Sequence, residues 1–145
     1  MSDIARPIQI RWSDLDPNFH LRHSCYYDMA AQLRVEVLGM YGVTLKAMQE
    51  GGFGPILFRE ECVFKREIRY ADRITLDVKL SRLRQDRSRW SFHHTFVRDD
   101  GTLCATLTVD GAWMDTRLRK LAPPPPITDE VMAAFPRTDD FAWVP

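Results

Sequence analysis

Residues 24–40 read Ser-Cys-Tyr-Tyr-Asp-Met-Ala-Ala-Gln-Leu-Arg-Val-Glu-Val-Leu-Gly-Met. Tyr26, Met29, Ala30, Leu33, Val37 and Met40 recur at i, i+3, i+4, i+7 spacing. That spacing is one apolar face of a helix about five turns long. Val35 and Leu38 widen the stripe, as on a helix covered from more than one side. His23 or Ser24 stands where a helix cap is needed, and Asp28 lies near the positive end of the dipole. Gly39 or Gly42 marks the stop.

Outward from this helix the period changes to two. Ile56, Phe58, Cys62, Phe64 and Ile68 share one strand face. Ile74, Leu76, Val78 and Leu80 alternate with polar residues, and so do Trp90, Phe92, His94 and Phe96. Leu103, Ala105, Leu107, Val109 and Trp113 share the face of a last strand, with a bulge expected at Gly111-Ala112. Asp99-Asp100-Gly101 is a hairpin turn. Upstream, residues 8–12 alternate as a strand, and residues 13–20 are dense in turn formers. A short helix is expected at 44–49, before the glycines of 51–54. The prolines at 123–126 form a stiff spacer, and Thr128 is placed to cap a short helix ending near residue 135.

Strand, long helix and four strands joined by short turns make an α+β fold, with an antiparallel five-stranded sheet around one helix. A chain of 145 residues with no internal repeat reads as one domain, its body at 1–122 and its spacer, short helix and tail at 123–145. Twenty basic residues balance twenty acidic ones, which argues against bulk attraction to nucleic acid or anionic lipid. Cys25, Cys62 and Cys104 are odd in number and widely spaced, as in a reduced cytoplasmic protein. No stretch approaches the ~20 apolar residues of a membrane span, so no span is expected. Sixteen of the basic residues are Arg, the side chain that pairs bidentately with phosphate.

The chemistry concentrates between residues 14 and 27. Asp14, Asp16, His20 and His23 fall within ten residues, just before the helix start. A helix N-terminus offers free N–H groups to an oxyanion, and a nearby carboxylate can act as general base or nucleophile. Asp-x-Asp-Pro-Asn is equally ordinary turn chemistry. Metal ligation by these four residues would need a helix through Asp16, which Pro17 opposes, so no metal is expected. Gly-x-Ser-x-Gly, P-loop and dinucleotide-binding glycine motifs do not occur.

Arg11-Trp12-Ser13-Asp14-Leu15-Asp16, then His23 and then Tyr26, resembles the segment of hotdog-fold acyl-CoA thioesterases of the 4-hydroxybenzoyl-CoA thioesterase type. The continuation through Arg34 and the run from Phe64 to Asp72 fit that family too, and the element order matches over roughly residues 4–120. The resemblance implies a hotdog fold and hydrolysis of an acyl-CoA thioester without a cofactor. It maps the catalytic carboxylate onto Asp16 and the oxyanion-binding N–H onto His23 or Ser24. It makes Tyr26 an acyl-pocket residue and sets Arg87 and Arg89, in a cluster with Arg82 and Arg84, against the coenzyme A phosphates. It implies a homodimer with a joined sheet, or a dimer of dimers. Relatives often carry Gly where Phe19 stands, Asn-Asn at Arg22-His23, and Pro at Glu67. Glu60, on the apolar face of its strand, reads as a pocket residue or an interface ion pair. Two alternatives remain: an enoyl-thioester hydratase on the same fold, whose Asp/His or Glu/His pair is placed differently and whose motif does not occur here, and a non-catalytic binder of acyl-CoA or acyl-carrier protein, which the departures at Phe19 and Arg22 keep open.

Overall fold

The computed structural model describes residues 3–145. Strand β1 (Ile4–Ile8) leads through a single 3-10 turn (Trp12–Asp14) to helix α1 (His23–Met40) and the short α2 (Leu45–Gly51). Four long strands follow: β2 (Phe53–Phe64), β3 (Ile74–Arg84), β4 (Arg89–Arg98) and β5 (Leu103–Asp115). The two-residue β6 (Lys120–Leu121), α3 (Asp129–Ala134) and β7 (Arg137–Val144) complete the chain. The sheet runs β1-β3-β4-β5-β2, with every pair along that path antiparallel. Helix α1 lies against it and buries Ala30, Leu33 and Val37 in one core with Val78, Phe96, Leu107 and Trp113. This is the hotdog fold, with its long helix placed early in the chain.

Several expectations are corrected. The first strand is Ile4–Ile8, not 8–12, because Ile8 already pairs with Ile74 at the end of β3. Beyond it, Asp14 accepts hydrogen bonds from the Arg11 backbone N–H and guanidinium, which curls 12–14 into the 3-10 turn and leaves Trp12 exposed. The residue at the α1 cap position is Arg22, and no side chain caps the helix. No bulge sits at Gly111-Ala112. In the β2–β5 pair Leu57 faces Gly111 and Arg59 faces Asp110, so Phe58 is the extra residue, and the irregularity of β5 falls at Cys104, against β4. Gly111 instead permits close approach, since a Cβ there would meet Trp90 Cη2 at 2.3 Å and the Ile56 carbonyl at 2.4 Å. Ile68 lies outside the strand, buried in the following loop. The Thr128 hydroxyl donates to the Pro125 carbonyl rather than capping α3.

The tail is ordered into the sheet. Strand β7 runs parallel to β3, with Arg82, Leu83 and Arg84 opposite Ala142, Trp143 and Val144. It occupies the part of the β3 edge that the short β1 leaves open. Among the described residues β2, at the other end, pairs only with β5.

Candidate active site

The loop between β1 and α1 is built on its two carboxylates, which the fold treats differently. Asp14 is 2% exposed and gripped by Arg11, with Nη2 to Oδ1 at 2.7 Å. The Cys25 thiol lies 3.7 Å from the same oxygen, and the Asp14 carbonyl accepts from the Arg22 N–H at 2.7 Å. The Arg11 hydrogen bonds hold its carboxyl below the ordinary range for Asp. Asp14 is thus a strut of the loop.

Asp16 is half-buried, and only one of its oxygens is engaged. Oδ1 accepts from the backbone N–H groups of Asn18 (2.9 Å) and His20 (3.1 Å). Oδ2 has no donor among the described residues. The backbone closes a tight loop beneath it, with the Asp16 N–H donating to the His20 carbonyl at 2.8 Å and the Phe19 N–H to the Asp16 carbonyl at 2.9 Å. Phe19 takes φ = 63°, a left-handed conformation that favours glycine. The turn geometry thus survives at this position without the glycine, at a local conformational cost.

Asp16, His23 and Tyr26 line one pocket of about 330 Å³ with His20, Phe64 and Lys65. The His23 ring is exposed, and the backbone N–H groups of His23 and Ser24 have no acceptor among the described residues. The Ser24 hydroxyl accepts from Arg22 Nε at 2.9 Å instead of capping the helix. These donors stand at the positive end of an 18-residue helix, where a developing negative charge is favoured. Tyr26 is buried edge-on between Phe64 and Phe96, each with its ring centre 5.0 Å away, and burial drives its hydroxyl pKa upward.

The remaining residues singled out in the sequence lie elsewhere. Arg87 adopts φ = 66° in the β3–β4 turn and pairs with Asp129 of α3 at 2.5 Å. Arg89, on β4, stacks over the Phe58 ring of β2 at 5.5 Å. Glu60 is half-buried on β2, and its charge reaches Arg34. Among the described residues no group of three His, Cys, Asp or Glu is placed to hold a metal ion, and no helix is long and apolar enough to cross a membrane.

Arg34 and His94 form a pair that sequence reasoning missed. The Arg34 guanidinium donates to His94 Nε2 at 2.9 Å, deep between helix and sheet. Since Arg has no acceptor, Nε2 must accept. The ring proton then sits on Nδ1 and is donated to the Asp77 carbonyl at 2.8 Å. Burial, with Arg34 beside it, pushes the His94 pKa down to about 3. The signal was present: Arg34 is four residues after Ala30 on the helix, and His94 shares a strand face with Phe92 and Phe96.

Comparison gives the family: the sequence profile of the thioesterase-like superfamily matches residues 10–135, and the chain belongs to that superfamily. No curated protein matches it. Among solved structures it is similar to a hypothetical protein from Staphylococcus aureus in complex with CoA. The TM-score is 0.83 at 17% identity, over 91% of this chain and 82% of that one. It is similar also to a 1,4-dihydroxy-2-naphthoyl-CoA thioesterase from Synechocystis, with TM-score 0.81, 15% identity, and 92% and 97% of the two chains covered. A Lactobacillus plantarum protein assigned as an oleoyl thioesterase aligns with TM-score 0.82 at 17% identity, over 99% of this chain but only 52% of its own length.

Proposed function

We propose that the protein hydrolyses an acyl-CoA thioester to the free acid and CoA. The observation that carries this reading is the Asp16 carboxylate, held by two backbone N–H groups through Oδ1 with Oδ2 free, in one pocket with the start of α1. Asp16 Oδ2 either takes a proton from water or attacks the thioester carbon. The N–H groups of His23 and Ser24 receive the carbonyl oxygen as it becomes an oxyanion. His23 orients the attacking water, and Tyr26 closes the floor of the pocket. Thiol release from a panel of aliphatic and aromatic acyl-CoAs is the direct test. Turnover is expected on at least one member. Ligand binding without thiol release would favour the non-catalytic reading.

The active form is a homodimer joined through β2. That strand has no partner on its outer edge and exposes Leu57, Phe58, Val63 and Phe64, each between 45% and 53%. Such an edge is a template for a second strand. Antiparallel pairing of two β2 strands across a two-fold axis brings the Phe64 end of one beside the Pro55–Leu57 end of the other. Phe64 lines the Asp16 pocket, so the partner would complete the site. Light scattering at micromolar concentration is expected to give twice the 16.9 kDa of one chain. A stable monomer would break this part of the reading.

Arg89 lies over Phe58 of β2, the strand through which the two copies would join. We assign Arg89, with Arg87 two residues before it, to the CoA phosphates. The Arg87→Ala, Arg89→Ala double variant is expected to raise KM about tenfold or more with kcat little changed. An unchanged KM removes both from the site.

A further inference from the structure

A second cavity, of about 190 Å³, lies between the later half of α1, α3 and the sheet. Four aromatic residues line it, Trp90, Phe92, Trp113 and Phe135, together with Leu38 and Arg34. Its volume is of the order that holds a benzene ring. Its walls are apolar, yet they include one buried cation. Arg34 is 7% exposed, and its one hydrogen bond within the chain goes to the neutral His94 ring. Among the described residues no carboxylate oxygen comes within 4.0 Å of it, Glu60 included. A buried cation without an anionic partner is costly, and an anionic oxygen entering beside it removes that cost. The lining also includes Pro55 and Leu57, the end of β2 that a two-fold pairing sets beside the partner's Asp16 pocket.

We propose that this cavity receives the far end of the acyl group and that Arg34 selects an acyl group ending in a carboxylate. The substrate class is a short or ring-sized dicarboxylic acid joined to CoA through one carboxyl. This inference rests on the thioesterase reading for the substrate's other end, while the cavity itself can be tested without catalysis.

Two measurements separate them. In the first, benzoate and its neutral analogue benzyl alcohol are titrated against tryptophan fluorescence, to which Trp90 and Trp113 contribute along with the more exposed Trp12 and Trp143, so the Arg34 variants give the site-specific part. Benzoate is expected to perturb the emission at a concentration at least tenfold lower than benzyl alcohol. The difference should vanish in Arg34→Met and survive, within several-fold, in Arg34→Lys, which keeps the cation. In the second, thiol release from glutaryl-CoA and hexanoyl-CoA is compared. A kcat/KM ratio of at least tenfold in favour of glutaryl-CoA is expected, reversed in Arg34→Met. Equal or better turnover of hexanoyl-CoA overturns the proposal and leaves the thioesterase reading intact. No turnover of either or of any member of the acyl-CoA panel, with Arg34-dependent benzoate binding, sinks the catalytic reading and supports the cavity assignment. Equal binding of benzoate and benzyl alcohol overturns the assignment whatever the activity.

Discussion

Asp16→Asn is expected to abolish thiol release, with kcat down by at least about a hundredfold, the range for loss of a positioned acid–base group. The amide preserves size, and its Oδ1 still accepts from the Asn18 and His20 N–H groups, so the loop that the carboxylate organises stays closed. What disappears is the charge and basicity of the free oxygen. Thermal stability should therefore change little, and KM should move less than kcat. Asp14→Asn is the informative contrast. It weakens the Arg11 ion pair of a carboxylate that faces no substrate, so its effect should fall on stability. A folded Asp16→Asn protein with wild-type turnover would refute the mechanism. Activity lost equally in both variants, with both destabilised, would reduce Asp16 to another strut.

The second large effect concerns acid. His94 ordinarily titrates near 6.5 but is held to about 3 in the fold, because burial and Arg34 disfavour its charged form. Between those values the unfolded chain binds a proton that the native state refuses. Stability from the neutral ring is complete above pH 6.5 and is lost as pH falls towards 3. The slope approaches about 1.4 kcal/mol per pH unit. Between pH 6.5 and 5, before carboxylates titrate, the loss is roughly 1.5 kcal/mol, or a Tm drop of about 3–6 °C. His94→Gln keeps an acceptor for Arg34 and removes the titration, so its Tm should be flat over that interval. His94→Leu leaves the guanidinium without an acceptor and is expected to cost about 3–5 kcal/mol at neutral pH. A wild-type Tm unchanged from pH 6.5 to 5 would exclude a neutral buried His94.

Much of this molecule is written in local pattern. The period of 3.6 over 24–40 and the period of 2 over 74–80 and 89–98 determine α1, β3 and β4, since each face must be apolar where it meets the core. The Asp-x-Asp loop and its position before α1 were legible too, because turn formers and a helix start are short-range features. Other features were not legible, since they depend on partners distant in sequence. The strand at Ile4–Ile8 was hidden by Pro7 and by an alternation at 8–12 that the Arg11–Asp14 contact redirects. The bulge fell on Phe58 because Gly111, under the Trp90 ring, lets the sheet close tightly there. The charged tail became β7 only because β1 is too short to cover β3.

The same division holds at the site. By itself the sequence determined the fold class, the long helix and the loop where a carboxylate meets a helix start, all of which follow from residues within a few positions of one another. Tertiary structure decided which of two equivalent-looking carboxylates is free, since only Arg11 and Cys25, folded onto Asp14, separate it from Asp16. It also decided that Arg34 and His94, sixty residues apart, share one proton-ordered contact beside an aromatic cavity. Periodicity says which way a side chain points, and only packing says what it meets.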